Sequence, residues 1–145
     1  MSKTINNQKG FTFLELLLSI ALIALISAFT IPIFQHFQVR NDLDIATQNI
    51  VQTMRRAQIL AQTMKDDDTW GVAIENGSIT LFKGEESGSD FDEVFDMPTS
   101  ITPSGLTTVI FSKATGYPNS HGTLVLTTST ETKNIIINEK GFFEY

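Results

Sequence analysis

The chain of 145 residues contains no cysteine. No disulfide can staple any part of it, and no thiol is available as a nucleophile or a metal ligand. Histidine is nearly absent too, with only His36 and His121. An imidazole acid–base pair or a His-ligated metal would need them close together, and nothing in their placement in the sequence brings that about. No nucleophile–base pair suggests itself, so the chain reads as a non-enzyme with no cofactor and no catalytic residue. Cations are scarce: ten Lys and Arg stand against sixteen Asp and Glu, a net charge of −6. From Asp66 onward the imbalance sharpens to thirteen carboxylates and four lysines. That segment repels polyanions, so nucleic acid is a disfavoured partner for it. The other six basic residues lie before it, Lys3 and Lys9 near the start and Arg40, Arg55, Arg56 and Lys65 further on, and a local patch around Arg55 and Arg56 stays open. Finally, no Asp, Glu, Lys or Arg occurs from Leu16 to Phe34.

That charge-free run is what the chain has in place of an active site. Phe11 to Phe34 is 24 residues, enough to cross a hydrocarbon core about 30 Å thick with some tilt. Lys3 and Lys9 precede it without an acidic neighbour, which leaves the amino terminus in the cytoplasm and the remainder in the periplasm or outside. One residue breaks the run. Glu15 places a carboxylate four residues inside it, where a charge costs up to about 2.5–3.5 kcal/mol near a helix centre and less near an end. A charge kept at that cost reads as functional, and something positive should meet it. Two plainer readings compete. A secretory signal would use Ala21, Ala24 or Ala28 near its cut, but Leu16 to Ile31 already exceeds the usual core of about 7–15 residues. A simple anchor would let Glu15 snorkel to the interface.

The residues around the carboxylate carry a more specific pattern. Lys9-Gly10-Phe11-Thr12-Phe13-Leu14-Glu15 resembles the cleavage region of type IV prepilins and type II secretion pseudopilins. The resemblance implies that a membrane-embedded prepilin peptidase cuts between Gly10 and Phe11 and methylates the new amino terminus at Phe11. It implies further that Glu15 pairs with that ammonium on a neighbouring subunit during assembly. Phe13 and Leu14 stand where Leu and Ile or Val are more usual, and both are bulky and apolar.

Past the apolar run the pattern narrows to a stripe. Val39, Leu43, Ala46, Ile50, Thr53 or Met54, Ala57, Ala61 and Met64 recur at steps of three and four, one buried face of a helix. A continuous helix from Phe11 to Lys65 would reach roughly 80 Å at 1.5 Å per residue. Pro32 lacks a backbone donor and crowds the carbonyl of Ala28, so it should kink or loosen the helix. A proline at this depth is also part of the resemblance. Asp66-Asp67-Asp68 opposes the negative pole of the helix and should end it. These carboxylates could donate to Ca²⁺, or simply form a solvated acidic turn.

The period then changes to two. Trp70 to Glu75 and Ser78 to Lys83, joined by Asn76-Gly77, predict a hairpin with a type I′ turn. A weaker edge strand is expected over 91–96, a further strand over 106–111, and a pair over 123–128 and 133–138, after which Glu139-Lys140-Gly141 turns the chain into its last residues. Trp70 is expected in the core or against the helix. The expected fold is α+β: a leader, 1–10; a membrane or filament-core helix, 11–34; the amphipathic half of that helix, 35–65, packed on an antiparallel β-sheet domain, 66–145. This order of helix, hairpin, glycines and isoleucine strand is similar to the GspH/FimT type of minor pilin or pseudopilin. The resemblance implies a single-pass inner-membrane protein assembled into a type IV pilus or type II secretion pseudopilus, with an assembly platform and sibling subunits as partners. The alternative is a membrane-anchored surface module that does not polymerise and binds a ligand, or DNA as in uptake systems, through loops 84–104 or 114–122.

Overall fold

The computed structural model describes residues 10–145, apart from the side chains of 29–36 in the first helix. The expectations for Lys3 and Lys9, for the kink at Pro32 and for His36 therefore lie outside the described residues. The chain divides into two compact units, Met1–Phe37 and Gln38–Tyr145. Helix α1 (Phe13–Gln62) begins in the first and ends in the second.

In the first unit the helix starts at a polar cap. The Thr12 hydroxyl accepts the Glu15 N–H at 3.3 Å, and the Thr12 carbonyl accepts the Leu16 N–H at 3.1 Å. This satisfies donors that the first turn would otherwise leave without partners. Every described side chain from Phe11 to Ala28 is exposed within the chain. Among the described residues no helix is long and apolar enough to cross a membrane. The described side chains of the run stop at Ala28, short of the ~20 residues that a span requires.

In the second unit one face of α1 is covered. Leu43, Ala46, Ile50, Val51, Met54, Ala57 and Ala61 are buried. Thr47 and Thr53, buried on the same side, donate their hydroxyls to the carbonyls of Leu43 (2.7 Å) and Asn49 (2.8 Å), so neither brings an unpaired polar group into the core. The helix stops at Gln62 rather than Lys65, and Met64, expected on the buried face, is half exposed. The reason is local: Met64 has φ 53°, which turns its side chain out of the helical stripe. A short 3₁₀ turn, Lys65–Asp67, comes next. Trp70 is buried and donates its indole N–H to the Lys65 carbonyl at 3.1 Å, tying that turn to the first strand.

The strands are β1 (Trp70–Glu75), β2 (Ser78–Lys83), β3 (Glu93–Asp96), β4 (Thr102–Gly105), β5 (Thr108–Phe111), β6 (Gly122–Thr127), β7 (Thr132–Ile137) and β8 (Phe143–Glu144). They form two antiparallel sheets, in the orders β3-β2-β1-β5 and β4-β6-β7-β8, where a single antiparallel sheet was expected. The unforeseen strand is β4. Its Thr-Pro-Ser-Gly sequence reads as a turn, but β4 is an edge strand, where a proline costs no ladder bond. The hairpin forms in the expected place, Glu75 opposite Ser78, but its turn is not the expected type I′: that turn needs positive φ at both Asn76 and Gly77, and only Gly77, at φ 93°, has it. Gly71 has a different reason from the strand-edge role its type suggests. It lies in β1, an interior strand, directly opposite Phe82, whose ring occupies the space a side chain would take: a Cβ on Gly71 would sit 2.3 Å from Phe82 Cζ. The helix face and the inner faces of both sheets share one core, in which Phe111 of β5 and Phe143 of β8 meet edge to face with centroids 6.4 Å apart.

Candidate functional site

The sequence directs attention to Gly10, Phe11 and Glu15. Gly10 lies outside regular structure, with nothing within 4 Å of where a Cβ would be, and Phe11 is 85% exposed. The bond between them is thus accessible, two residues ahead of the helix. Glu15 occupies the third helical position, in the turn where unpaired N–H groups make the helix end positive. Among the described residues no cation pairs with its carboxylate.

Sequence reasoning missed Thr12. The spacing Thr12-Phe13-Leu14-Glu15 is that of a capping box, in which a threonine caps the helix and a glutamate stands three residues on. The signal was present but was overshadowed by the question of what Glu15 meets in an apolar medium. Both roles fit one position. The cap fixes where the helix begins, and the start of the helix sets the distance from the Gly10–Phe11 bond to the carboxylate.

Downstream, the only polar side chains from Leu16 to Ala28 are Ser19 and Ser27. Each donates its hydroxyl to the carbonyl four residues back, Glu15 at 2.7 Å and Ile23 at 2.8 Å. Leu17, Leu18, Leu22, Ile23 and Leu25 are all more than half exposed on this segment. A helix apolar on every side, with its hydroxyls satisfied internally, is built for lipid or for close packing among other helices.

The domain surface sorts the other candidates. His121 Nε2 stands 3.8 Å from a Glu139 carboxylate oxygen on an exposed face. In the acidic turn, Asp67 pairs with Lys113, Asp66 lies 3.7 Å from Lys65, and Asp68 accepts the Thr69 N–H. The Lys113 hydrogen bond, reinforced by its charge, holds the Asp67 carboxyl below its ordinary 3.8. Among the described residues no group of three His, Cys, Asp or Glu could hold a metal ion. Arg55 and Arg56 do not act together. Arg56 reaches Glu93 of β3 through two hydrogen bonds of 2.6 Å, whereas Arg55 lines a groove with Gln58, Ile59 and Phe142. Asp44 on the helix pairs with Lys133 of β7. That hydrogen bond, with the charges of Lys133 and Arg40, outweighs partial burial and lowers the Asp44 carboxyl from 3.8.

Comparison with known proteins bears on the amino-terminal segment. No curated protein and no solved structure matches the chain. Residues 5–31 match the prokaryotic N-terminal methylation motif. The match takes in Gly10, Phe11, Thr12 and Glu15, and it supports a type IV pilin-like family and processing by prepilin peptidase.

Proposed function

We propose that the chain is a minor-pilin-like structural subunit, of the GspH/FimT kind, cut between Gly10 and Phe11 and assembled through its amino-terminal helix into a type IV pilus or type II secretion pseudopilus. The observation that carries this reading is the methylation motif over residues 5–31, which coincides with an accessible Gly10–Phe11 bond and a helix capped at Thr12. Cleavage leaves an ammonium on Phe11, and methylation keeps it cationic. Its own helix end is positive, which opposes a cation there and favours the Glu15 carboxylate. The ammonium therefore gains most from the carboxylate of a neighbouring helix, and two unfavourable charges in an apolar medium become one pair.

Before assembly the helix over 11–34 sits in the inner membrane, with the leader cytoplasmic and the domain on the far side. Leaving lipid is uphill for such a helix until neighbours cover it, so assembly draws on a platform in the membrane. The subunit needs no active site. The test is Glu15→Leu in the full chain. It should insert and be processed normally yet fail to appear in filaments; filaments at the normal level would contradict the pairing.

A further inference from the structure

We infer that the outer edge of β3 is a docking site for an extended, Lys- or Arg-bearing segment of another protein, which adds to the sheet as a fifth strand. The inference goes beyond the assembly reading and stands on the folded domain alone.

Backbone pairing leaves this edge open. β3 runs antiparallel to β2, and just past it the Met97 N–H reaches the Gly77 carbonyl at 3.0 Å. Pairing in an antiparallel ladder alternates, so Glu93 and Phe95 direct their N–H and C=O groups at β2, while Val94 and Asp96 direct theirs outward. Among the described residues nothing bonds those outward groups. The other edge strands are closed or cut short. On β5, Asn119 donates its N–H to the Ile110 carbonyl at 2.8 Å and accepts the Ile110 N–H on its side-chain oxygen at 3.1 Å. On β4 the Leu106 N–H, bonded to the Thr123 carbonyl, sets the alternation that turns Pro103 outward, and proline has no donor to offer there. β8 has two residues, whereas β3 has four, all exposed.

β3 is blunted by charge alone, and charge selects the partner. Asp96 has no ion pair among the described residues, nor has Asp90 in the turn before the strand. The cations on this flank are committed, Arg56 to Glu93 and Lys83 to the face of the Phe91 ring. With thirteen carboxylates against four lysines from Asp66 onward, the surrounding field favours a cationic segment. A second copy's β3 would set carboxylate against carboxylate, so the occupant is a different surface.

The side chains supply a seat beside the edge. Phe95, paired with the buried Ile79, faces the helix, and with Asn49, Gln52, Thr53 and Arg56 it lines a groove of about 360 Å³. Side chains of an added strand would alternate between two faces. One set enters the groove, where Phe95 offers apolar surface and the Asn49 and Gln52 amides offer donors and acceptors. The other set lies beside Val94, 62% exposed, and Asp96, where a cation pairs across the strands. In strand addition of this kind main-chain bonds give affinity and alternate side chains give selectivity.

The experiment measures fluorescence anisotropy of labelled, end-blocked peptides with the full-length protein in detergent micelles. A peptide of alternating Lys and Thr should bind about tenfold or more tightly than one of alternating Glu and Thr. N-methylation at every Lys should weaken binding about tenfold or more, because those N–H groups face β3; at every Thr it should change binding by less than about threefold. Val94→Pro removes one outward donor and no bond to β2, and should weaken binding about as much as N-methylation at Lys. Asp96→Lys should erase the preference for Lys over Glu. The peptide comparisons need no protein variant, so they decide the matter even where Val94→Pro fails to fold. Equal binding of the Lys and Glu peptides, binding indifferent to N-methylation at Lys, or no binding at about 1 mM peptide would overturn the inference.

Discussion

Gly71 is the residue at which the sequence misleads most. Glycine inside a strand suggests an edge or a bulge, yet here it provides the floor beneath the Phe82 ring in the middle of a sheet. Gly71→Ala should therefore lower stability by about 1–3 kcal/mol through overpacking, and Gly71→Ala with Phe82→Leu should recover part of it. Urea titration followed by Trp70 fluorescence would measure both, since the chain has a single tryptophan. A second residue-level prediction concerns pH. Because Lys133 holds the Asp44 carboxyl below 3.8 in the folded chain, the pair contributes at neutral pH, and the contribution is lost as pH falls through the folded value. Both side chains are more than a third exposed, so screening keeps the effect small. Asp44→Asn should cost about 0.3 kcal/mol at pH 7 and progressively less as pH falls below 3.8, read from melting curves at neutral and acid pH. At Thr12, replacement by valine removes the hydroxyl that accepts the Glu15 N–H. The first turn should loosen by about 1 kcal/mol, seen as faster amide exchange at Phe13 to Glu15.

Helices and strands were legible where their periodicity was long and continuous. The stripe from Leu43 to Ala61 and the strand pairing of the Trp70–Lys83 hairpin stand as the sequence implies, because each repeats one rule over several turns or pairs. Met64 fell outside the stripe because one residue with positive φ ends a helix even when the apolar spacing continues through it. β4 was hidden by Pro103 and Gly105, which read as a turn until β6 supplies a partner strand. The split into two sheets was also beyond reach, since strand order depends on contacts distant in sequence. Of the candidate site, Gly10, Phe11 and Glu15 could be named from the sequence alone, whereas the groove beside Phe95 draws on the helix and β3 and has no local pattern. At this scale Ile50→Ala is informative. Ile50 is fully buried where the helix meets the core of both sheets, so its truncation should cost about 2–5 kcal/mol. A loss of under about 1 kcal/mol would mean that the helix does not belong to the domain's cooperative unit.

The whole chain joins two designs with opposite solvents. Its folded domain, the source of most of the negative charge, keeps one core under a helix and two sheets. Its amino-terminal helix exposes leucine, isoleucine and phenylalanine on every side and satisfies its serines internally. A medium of lipid or of like helices would suit that segment, and there the carboxylate of Glu15 would call for a cation. Cleavage at Gly10 would create one, four residues away along the chain and within reach on a neighbouring helix. The central claim is thus a covalent one, and intact mass spectrometry of the protein purified from its native organism tests it most directly. The account predicts a chain that begins at Phe11 and carries one added methyl group on its amino terminus; a chain that still begins at Met1, or that retains any part of residues 1–10, would contradict it.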